Sequence, residues 1–394
     1  MIHAGVGLGK NLTNHRLAAE DAVREALESI PAVKPNIAFV CSSIVYNQQD
    51  VLAGVANMLP VGTLVIGGSS AGEITSLATV FDAVVVLVIT SDSVQFTLAC
   101  SKGVAKDSFG AGAALAESIK KKSASDPKLL ISIPDGITGD GSAIIAGFQS
   151  VLGANFPIIG GSSGDDYQFK KTFEYFNGKV LTDSIVGVGI SGKFSYGFGI
   201  RHGWEPVGLP MRVTRAAGTL LQEVDHRPAL EIYQKYFGRE AMELIREPLA
   251  RMTYTYPLGL AVEGSDELLI RDPLFANQKG EIIMAATIPE GATIRLMVGD
   301  RERALEATKI AAHTALEALE GATPRLIFVF NCMARNKLLG IRCNEENQIV
   351  QNVIGRDVPM FGFYTYGEQG PLLGKKNTPA YFHNETMTLL VIGD

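Results

Sequence analysis

The sequence predicts an α/β protein of two lobes, each built on mixed parallel and antiparallel sheets flanked by helices. Three observations carry that class. First, a glycine–serine loop recurs: Val65-Ile66-Gly67-Gly68-Ser69-Ser70-Ala71-Gly72-Glu73, then Ile158-Ile159-Gly160-Gly161-Ser162-Ser163-Gly164-Asp165-Asp166, then a looser Met360-Phe361-Gly362-Phe363-Tyr364-Thr365-Tyr366-Gly367-Glu368. Second, the flanks recur with it. An apolar run (Ile37–Cys41, Leu129–Ile133, Leu326–Phe330), a helical stretch (Gln48–Met58, Ser142–Leu152, Glu345–Ile354) and a proline (Pro60, Pro157, Pro359) precede each loop. Third, another apolar strand follows each loop: Ala83–Ile89, Ile185–Ile190 and Met387–Ile392. Three β-α-β-loop-β units on one plan outweigh any single glycine pattern.

Taken in order, Gly5-Val6-Gly7-Leu8-Gly9-Lys10 lacks the spacing of a phosphate-binding loop and reads as flexible glycine near an edge strand. Thr13 or Asn14 caps a helix to about Ser29, with Ala18, Ala22, Val23, Ala26 and Leu27 on one face. The first unit spans about 36–101 and ends in strands Ala83–Ile89 and Val94–Cys100. A helix near Ser108–Lys121 leads into the second unit, about 129–201. That unit is expected to differ from the first by an inserted hairpin, Thr172–Phe176 and Val180–Leu181, turned by Asn177-Gly178. Tyr196–Ile200 is expected to close the N-terminal lobe, residues 1–202. The C-terminal lobe, 203–394, opens with a turn-rich junction, Gly203 to Pro210, followed by a strand at Met211–Thr214. Helix Ala229–Phe237 is stopped by Gly238, and short strands follow at Leu268–Arg271, Ile282–Ala286 and Thr293–Val298. An alanine-rich helix, Arg301–Glu320, enters the third unit.

With 394 residues, 46% hydrophobic and 19% charged, the chain is long and apolar enough for real cores. A net charge of −6 without a Lys/Arg-rich block argues against nucleic acid and anionic membranes as partners. Four scattered cysteines fit neither a disulfide scaffold nor a structural zinc site. With no signal peptide and no membrane-length apolar run, the expected location is the cytoplasm.

The densest chemistry lies in the C-terminal part: Asn331-Cys332-Met333-Ala334-Arg335, Gly367-Glu368-Gln369-Gly370-Pro371 and Phe382-His383-Asn384-Glu385. Strand ends are where α/β sheets bind ligands. One reading is a small-ligand pocket, with Arg335 gripping a carboxylate and Glu368 or Asn384 taking an amine or amide, facing Asp165 and Asp166. Another is a cysteine-dependent hydrolase or transferase, with Cys332 as nucleophile and His383 as base. Against both stand plainer roles: a buried thiol, a structural histidine and turn carboxylates. Gly68-Ser69-Ser70-Ala71-Gly72 and Gly160-Gly161-Ser162-Ser163-Gly164 satisfy the nucleophile-elbow spacing. A loop and a strand, rather than a helix, follow the serines, which disfavours a serine hydrolase. The six dispersed histidines offer no paired metal site, although a single one suffices for a haem iron. His202 and His226 are the candidates for that role, each weighed against an ordinary surface or capping histidine.

Several stretches resemble the FIST family over nearly the whole chain. They are Ala4-Gly5-Val6-Gly7, Gly160 to Asp166, Phe176-Asn177-Gly178, Gly203-Trp204-Glu205-Pro206-Val207-Gly208, Val213-Thr214-Arg215-Ala216, Arg227 to Tyr233, Asn331-Cys332, Gly362 to Gly370 and Phe382-His383-Asn384. The resemblance implies a FIST N-like and a FIST C-like lobe and a non-enzymatic, sensory role in signal transduction, with amino acids or small carboxylates as ligands. It implies, for a subset of the family, haem-dependent sensing of nitric oxide in a two-component system, through a partner histidine kinase. No output domain follows Asp394, so the signal is expected to pass to a separate protein. Met333-Ala334-Arg335 replaces the family's glycine-rich step after the cysteine.

Overall fold

The computed structural model describes residues 1–237, 249 and 253–394. The expected stop at Gly238 lies outside the described residues. The expected class is observed: mixed parallel and antiparallel sheets flanked by helices, arranged in repeated units.

Three six-stranded sheets share one strand order. The first runs Ile2–Gly9, Val84–Ser91, Ile37–Ser43, Leu64–Ser70, then the hairpin Glu174–Phe176 and Lys179–Leu181. The second runs Val94–Lys102, Ser184–Gly192, Leu129–Pro134, Ile158–Gly161, then the hairpin Glu368–Pro371 and Ala380–His383. The third runs Ser195–Arg201, Met387–Gly393, Pro324–Cys332, Met360–Thr365, then the hairpin Glu73–Thr75 and Thr79–Val80. In each sheet the two central strands joined by a helix are parallel and every other pairing is antiparallel. Each unit donates its hairpin to a different sheet, in cyclic order. The repeats therefore interlock, and none completes its own sheet.

The inner faces of the three sheets meet in one core. Phe39 of the first packs edge-on against Phe328 of the third at 4.9 Å, and Ile131 of the second joins them. Helices cover the outer faces. His15–Glu28 is capped by Asn14, whose side chain accepts from Leu17 N, and it buries Ala18, Ala22 and Ala26 on the first sheet. Ser108–Lys122 and Gly141–Leu152 cover the second sheet, and Arg301–Glu317 and Asn344–Ile354 the third. The N-terminal glycines sit on an edge strand, as expected, but serve close packing rather than flexibility. A Cβ on Gly7 would lie 2.0 Å from the Ala22 carbonyl, and one on Gly199, in the corresponding strand of the third sheet, 1.9 Å from that of Ala311.

The described residues between 204 and 299 depart from the repeat. They form a separate sheet around the long strand Trp204–Ala217, in the order Leu269–Arg271, Leu258–Leu260, Thr293–Gly299, Trp204–Ala217, Leu220–Val224, Ile282–Met284, Pro273–Ala276. Three expectations change. Tyr196–Ile200 does not close the N-terminal half, because it pairs with Met387–Gly393 as the edge of the third sheet. The turn-rich junction Gly203–Pro210 is strand, with its register broken between Val207 and Met211, where Gly208 and Pro210 interrupt regular pairing. The hairpin after the second loop is no insertion, since all three units have one; the extra piece is the run 164–173 before it. Among the described residues no helix is long and apolar enough to cross a membrane.

Candidate functional site

The C-terminal ends of the parallel strands place equivalent side chains together three times. Ser43 pairs with Ser70, and Cys332 with Thr365. In the second sheet, the register that sets Ser132 against Gly160 carries Asp135 to Ser163. Each hairpin begins with a buried glutamate, Glu73, Glu174 or Glu368, opposite Phe363, Gly68 and Gly161 respectively. Just before each returning strand stands an acidic residue of positive φ: Asp82 at 53°, Asp183 at 49° and Glu385 at 54°. That conformation is uncommon for any side-chain-bearing residue, and glutamate lacks the local bonding that eases it for aspartate. The same backbone bond closes each end, from Ser43, Asp135 and Cys332 N–H to the carbonyls of Ala83, Ser184 and Thr386.

The three glycine-rich loops tie the ends together through Ala71 N–H to Tyr364 O, Gly164 N–H to Ser69 O and Ser162 N–H to Gly367 O, at 3.1, 3.0 and 2.8 Å. In the first cluster Ser70 donates to Glu73, and Ser43 donates to Asp166 at 2.9 Å. In the second, the Asp135 carboxylate accepts from Ile137 N, Thr138 N, Thr172 Oγ1 and Asp183 N, each within 3.0 Å. In the third, Thr365 donates to Glu368 at 2.5 Å, and Thr386 N–H reaches its other oxygen at 3.3 Å.

The 164–173 loop reaches the other two clusters through Asp166 and Thr172, and at the third it meets the separate sheet, where a narrow cleft of about 20 Å³ lies between them. Tyr167, Phe169 and Tyr366 form one wall, with Phe169 stacked on Tyr366 at 5.0 Å and Tyr167 at 4.9 Å from Phe169. Asp272, Cys332, Thr365 and Asn384 complete it, and Asn384 Oδ1 accepts from Asp272 N–H at 3.3 Å. Behind the cleft the fully buried Glu385 faces Asp272. Asp272 Oδ1 and both Glu385 oxygens have no hydrogen-bond partner among the described residues. Burial pushes Glu368, Glu385 and Asp272 above the usual carboxylate range; Asp272 raises Glu385 further, whereas Glu385 draws Asp272 back down. Burial, then the nearby Glu368, Asp272 and Glu385, also drives the Cys332 thiol well above its ordinary value. The group that would attack in a cysteine enzyme is thus held as a neutral thiol.

Of the residues expected to meet, Cys332 and Asn384 line the cleft and Glu368 braces it through Thr365. Arg335 is a correction: it grips no incoming carboxylate. Its side chain is fully buried, and it donates to Glu346 at 3.0 and 2.7 Å, to Thr308, and to the carbonyls of His202, Ala304 and Glu385. Every guanidinium nitrogen is committed. His383 is buried, donates from Nε2 to the Gly370 carbonyl at 3.0 Å, and has its pKa lowered by burial to about 4. Asp165 is a loop knot, accepting from the N–H groups of Phe169, Lys170 and Lys171 and from the Tyr366 hydroxyl. Asp166 is turned away to Ser43.

Of the two candidate haem ligands, His202 is committed within the protein. His202 Nδ1 accepts from Trp204 N–H at 2.9 Å and Nε2 lies 3.0 Å from Glu267, so neither ring nitrogen is open to an iron. His226 is exposed on a turn at φ 61°. Neither lines the cleft.

Sequence reading missed Asp272, Glu385, Tyr167, Phe169 and Tyr366. Glu385 was the most accessible of them: it closes the stretch Phe382-His383-Asn384-Glu385 and was given no role there. Asp272 sits inside the separate sheet, with no motif around it.

Two family profiles match the chain, the FIST N domain over residues 36–227 and the FIST C domain over 229–371. An uncharacterised protein of Methanocaldococcus jannaschii is 29% identical over 195 residues, which is 46% of this chain; the chain spans about a third, 36%, of that relative. An uncharacterised protein of Mycobacterium bovis is 24% identical over 388 residues, covering 94% of this chain and 95% of its own. Among solved structures, a cyanuric acid hydrolase is similar at a TM-score of 0.38 and 7% identity over 100% of this chain and 99% of its own. A chorismatase gives 0.35 and 7%, again over 100% and 99%. The chain belongs to the FIST family, whose domains serve generally as sensory domains in signal transduction.

Proposed function

We propose that the chain senses a small molecule presenting an amine or other N–H donor group, bound in the cleft beside Cys332, and hands the signal to a separate protein. The observation that carries this reading is the Asp272–Glu385 pair, whose buried oxygens lack donors among the described residues. A ligand ammonium or amide supplies what is missing, and leaving such oxygens unsatisfied is costly. The aromatic wall of Tyr167, Phe169 and Tyr366 suits a cation, which is drawn to ring faces. An amino acid would enter by its ammonium end. A cleft of about 20 Å³ admits little more than a water, so entry displaces the 164–173 loop, and that displacement is the change a partner would read. Binding without turnover is the favoured reading, because the Cys332 thiol is held protonated.

The test is calorimetry of the protein against amino acids, polyamines and small amides, followed by Asp272→Asn with any ligand found. The expected outcome is an amine-bearing ligand whose affinity falls at least tenfold in the variant. A ligand bound equally well by Asp272→Asn, or a panel in which only amine-free acids bind, would overturn it.

A further inference from the structure

A second cavity lies on the opposite side of the same backbone. Arg271 and Asp272 are successive residues at the end of the strand Leu269–Arg271, and successive side chains of an extended chain point to opposite faces. Asp272 lines the cleft. Arg271 lines a groove of about 500 Å³ between the helix Gly141–Leu152, the separate sheet and the hairpin strand Ala380–His383. That size lies within the range of small-molecule sites, roughly 300–1,000 Å³. Its walls are mostly apolar, with Ile145, Leu260, Val262, Leu269 and Tyr381 contributing.

The guanidinium of Arg271 is the anomaly. The residue is only 3% exposed, yet among the described residues no carboxylate comes within ion-pair distance of it. Nε donates to the Thr287 carbonyl at 3.2 Å, and Nη1 to those of Ile270 and Phe382 at 3.0 and 2.8 Å. Nη2 makes no hydrogen bond among the described residues. Asp140, the acidic group whose field reaches Arg271, spends its carboxylate on Ser142 N–H and the Thr287 hydroxyl. Ser142, on the same wall, buries an Oγ without a partner. Buried charges are ordinarily paired, because desolvation without compensation is expensive. Glu263, also on the wall, is exposed and carries its charge in water.

We propose that this groove binds a small amphipathic carboxylate, its head group on Arg271 Nη2 and Ser142 Oγ and its apolar body along Ile145, Leu260 and Val262. The site is separate from the cleft and does not depend on the function proposed for it. A guanidinium edge and a hydroxyl match a carboxylate, and the walls match a short alkyl or aryl chain.

Isothermal titration with octanoate, octanol and octylamine tests the assignment on the full chain. Wild-type protein should take up one octanoate, with octanol at least tenfold weaker and octylamine weaker still. Arg271→Met should reduce octanoate to the level of octanol. Because Arg271 also holds three carbonyls, that variant is checked by circular dichroism. Should it fail to fold, Ala261→Trp, an exposed residue on the groove wall, blocks the site without touching Arg271 and should weaken octanoate at least tenfold. Octanol bound as tightly as octanoate, absence of saturable octanoate binding, or full affinity in Ala261→Trp would each overturn the proposal.

Discussion

The first and third strand-end clusters are built from one plan and differ in what covers them. Ser43, Ser70, Glu73 and Asp82 stand in the first where Cys332, Thr365, Glu368 and Glu385 stand in the third, with the same backbone closure and the same hydroxyl-to-carboxyl bond. The first is filled by Asp166 of the 164–173 loop, which accepts from Ser43. The third is left with a cleft because Asp272 arrives from the separate sheet and Phe169 from the 164–173 loop. Repetition thus supplies a rigid scaffold, and the two stretches that break the repeat supply the candidate site.

The sharpest way to test that division of labour is Arg335→Met, which belongs to the third unit but not to its cleft. It would strand Glu346, a buried carboxylate left with only Thr308 and Asn331. Removing one partner of a buried pair costs about 3–5 kcal/mol, and chemical denaturation should show a loss of that order. The half-exposed pair of Arg303 with Glu205 should contribute no more than about 1 kcal/mol in the same experiment. Undiminished stability in Arg335→Met, with selective loss of a carboxylate ligand, would restore the role the sequence suggested.

A smaller effect separates the first cluster by pH. Glu73 has an ordinary value of 4.5 and is pushed up to about 8, chiefly by burial. The folded protein keeps a proton there that the unfolded chain releases. The stabilisation is complete below pH 4.5 and is lost as pH rises toward 8, with a slope of at most about 1.4 kcal/mol per pH unit from this group. Glu73→Gln should flatten that part of the stability profile. A variant whose profile still falls between pH 5 and 8 as steeply as the wild type's would place the titration elsewhere, for instance in Glu368 and Glu385, whose values are also raised by burial.

These particulars show what the sequence made legible. The repeated strands, helices and loops were readable because apolar runs and glycines mark buried strands and tight strand ends. The cyclic exchange of hairpins was not, because register and partner are set by tertiary packing rather than by local pattern. The same limit misplaced a carboxylate. By loop spacing, Gly164-Asp165 matches Gly72-Glu73 and Gly367-Glu368, but Glu174, nine residues after Asp165, occupies the equivalent position and Asp165 ties the loop instead. Arg335 looked like a ligand grip because a lone arginine after a strand end gives no sign of its partner. Glu346, eleven residues on, was read only as part of a helix.

The mildest change addresses the loop that makes the third end different. Tyr366 donates its hydroxyl to Asp165, and the same carboxylate gathers three backbone N–H groups. Tyr366→Phe removes one of four donors and leaves the ring that stacks on Phe169. The carboxylate remains partly satisfied, so the loss should sit near the low end for a bond to a charged group, about 1.5 kcal/mol. That is too little to unfold the protein but enough to raise the open population of the loop about tenfold. Hydrogen exchange should speed up at the amides of Phe169, Lys170 and Lys171, and stay unchanged at Ala71, whose amide bonds Tyr364 at the first strand end. Equal acceleration at both places would mean that the clusters open together, as one symmetric unit, and the contrast between a closed first end and a gated third would fail.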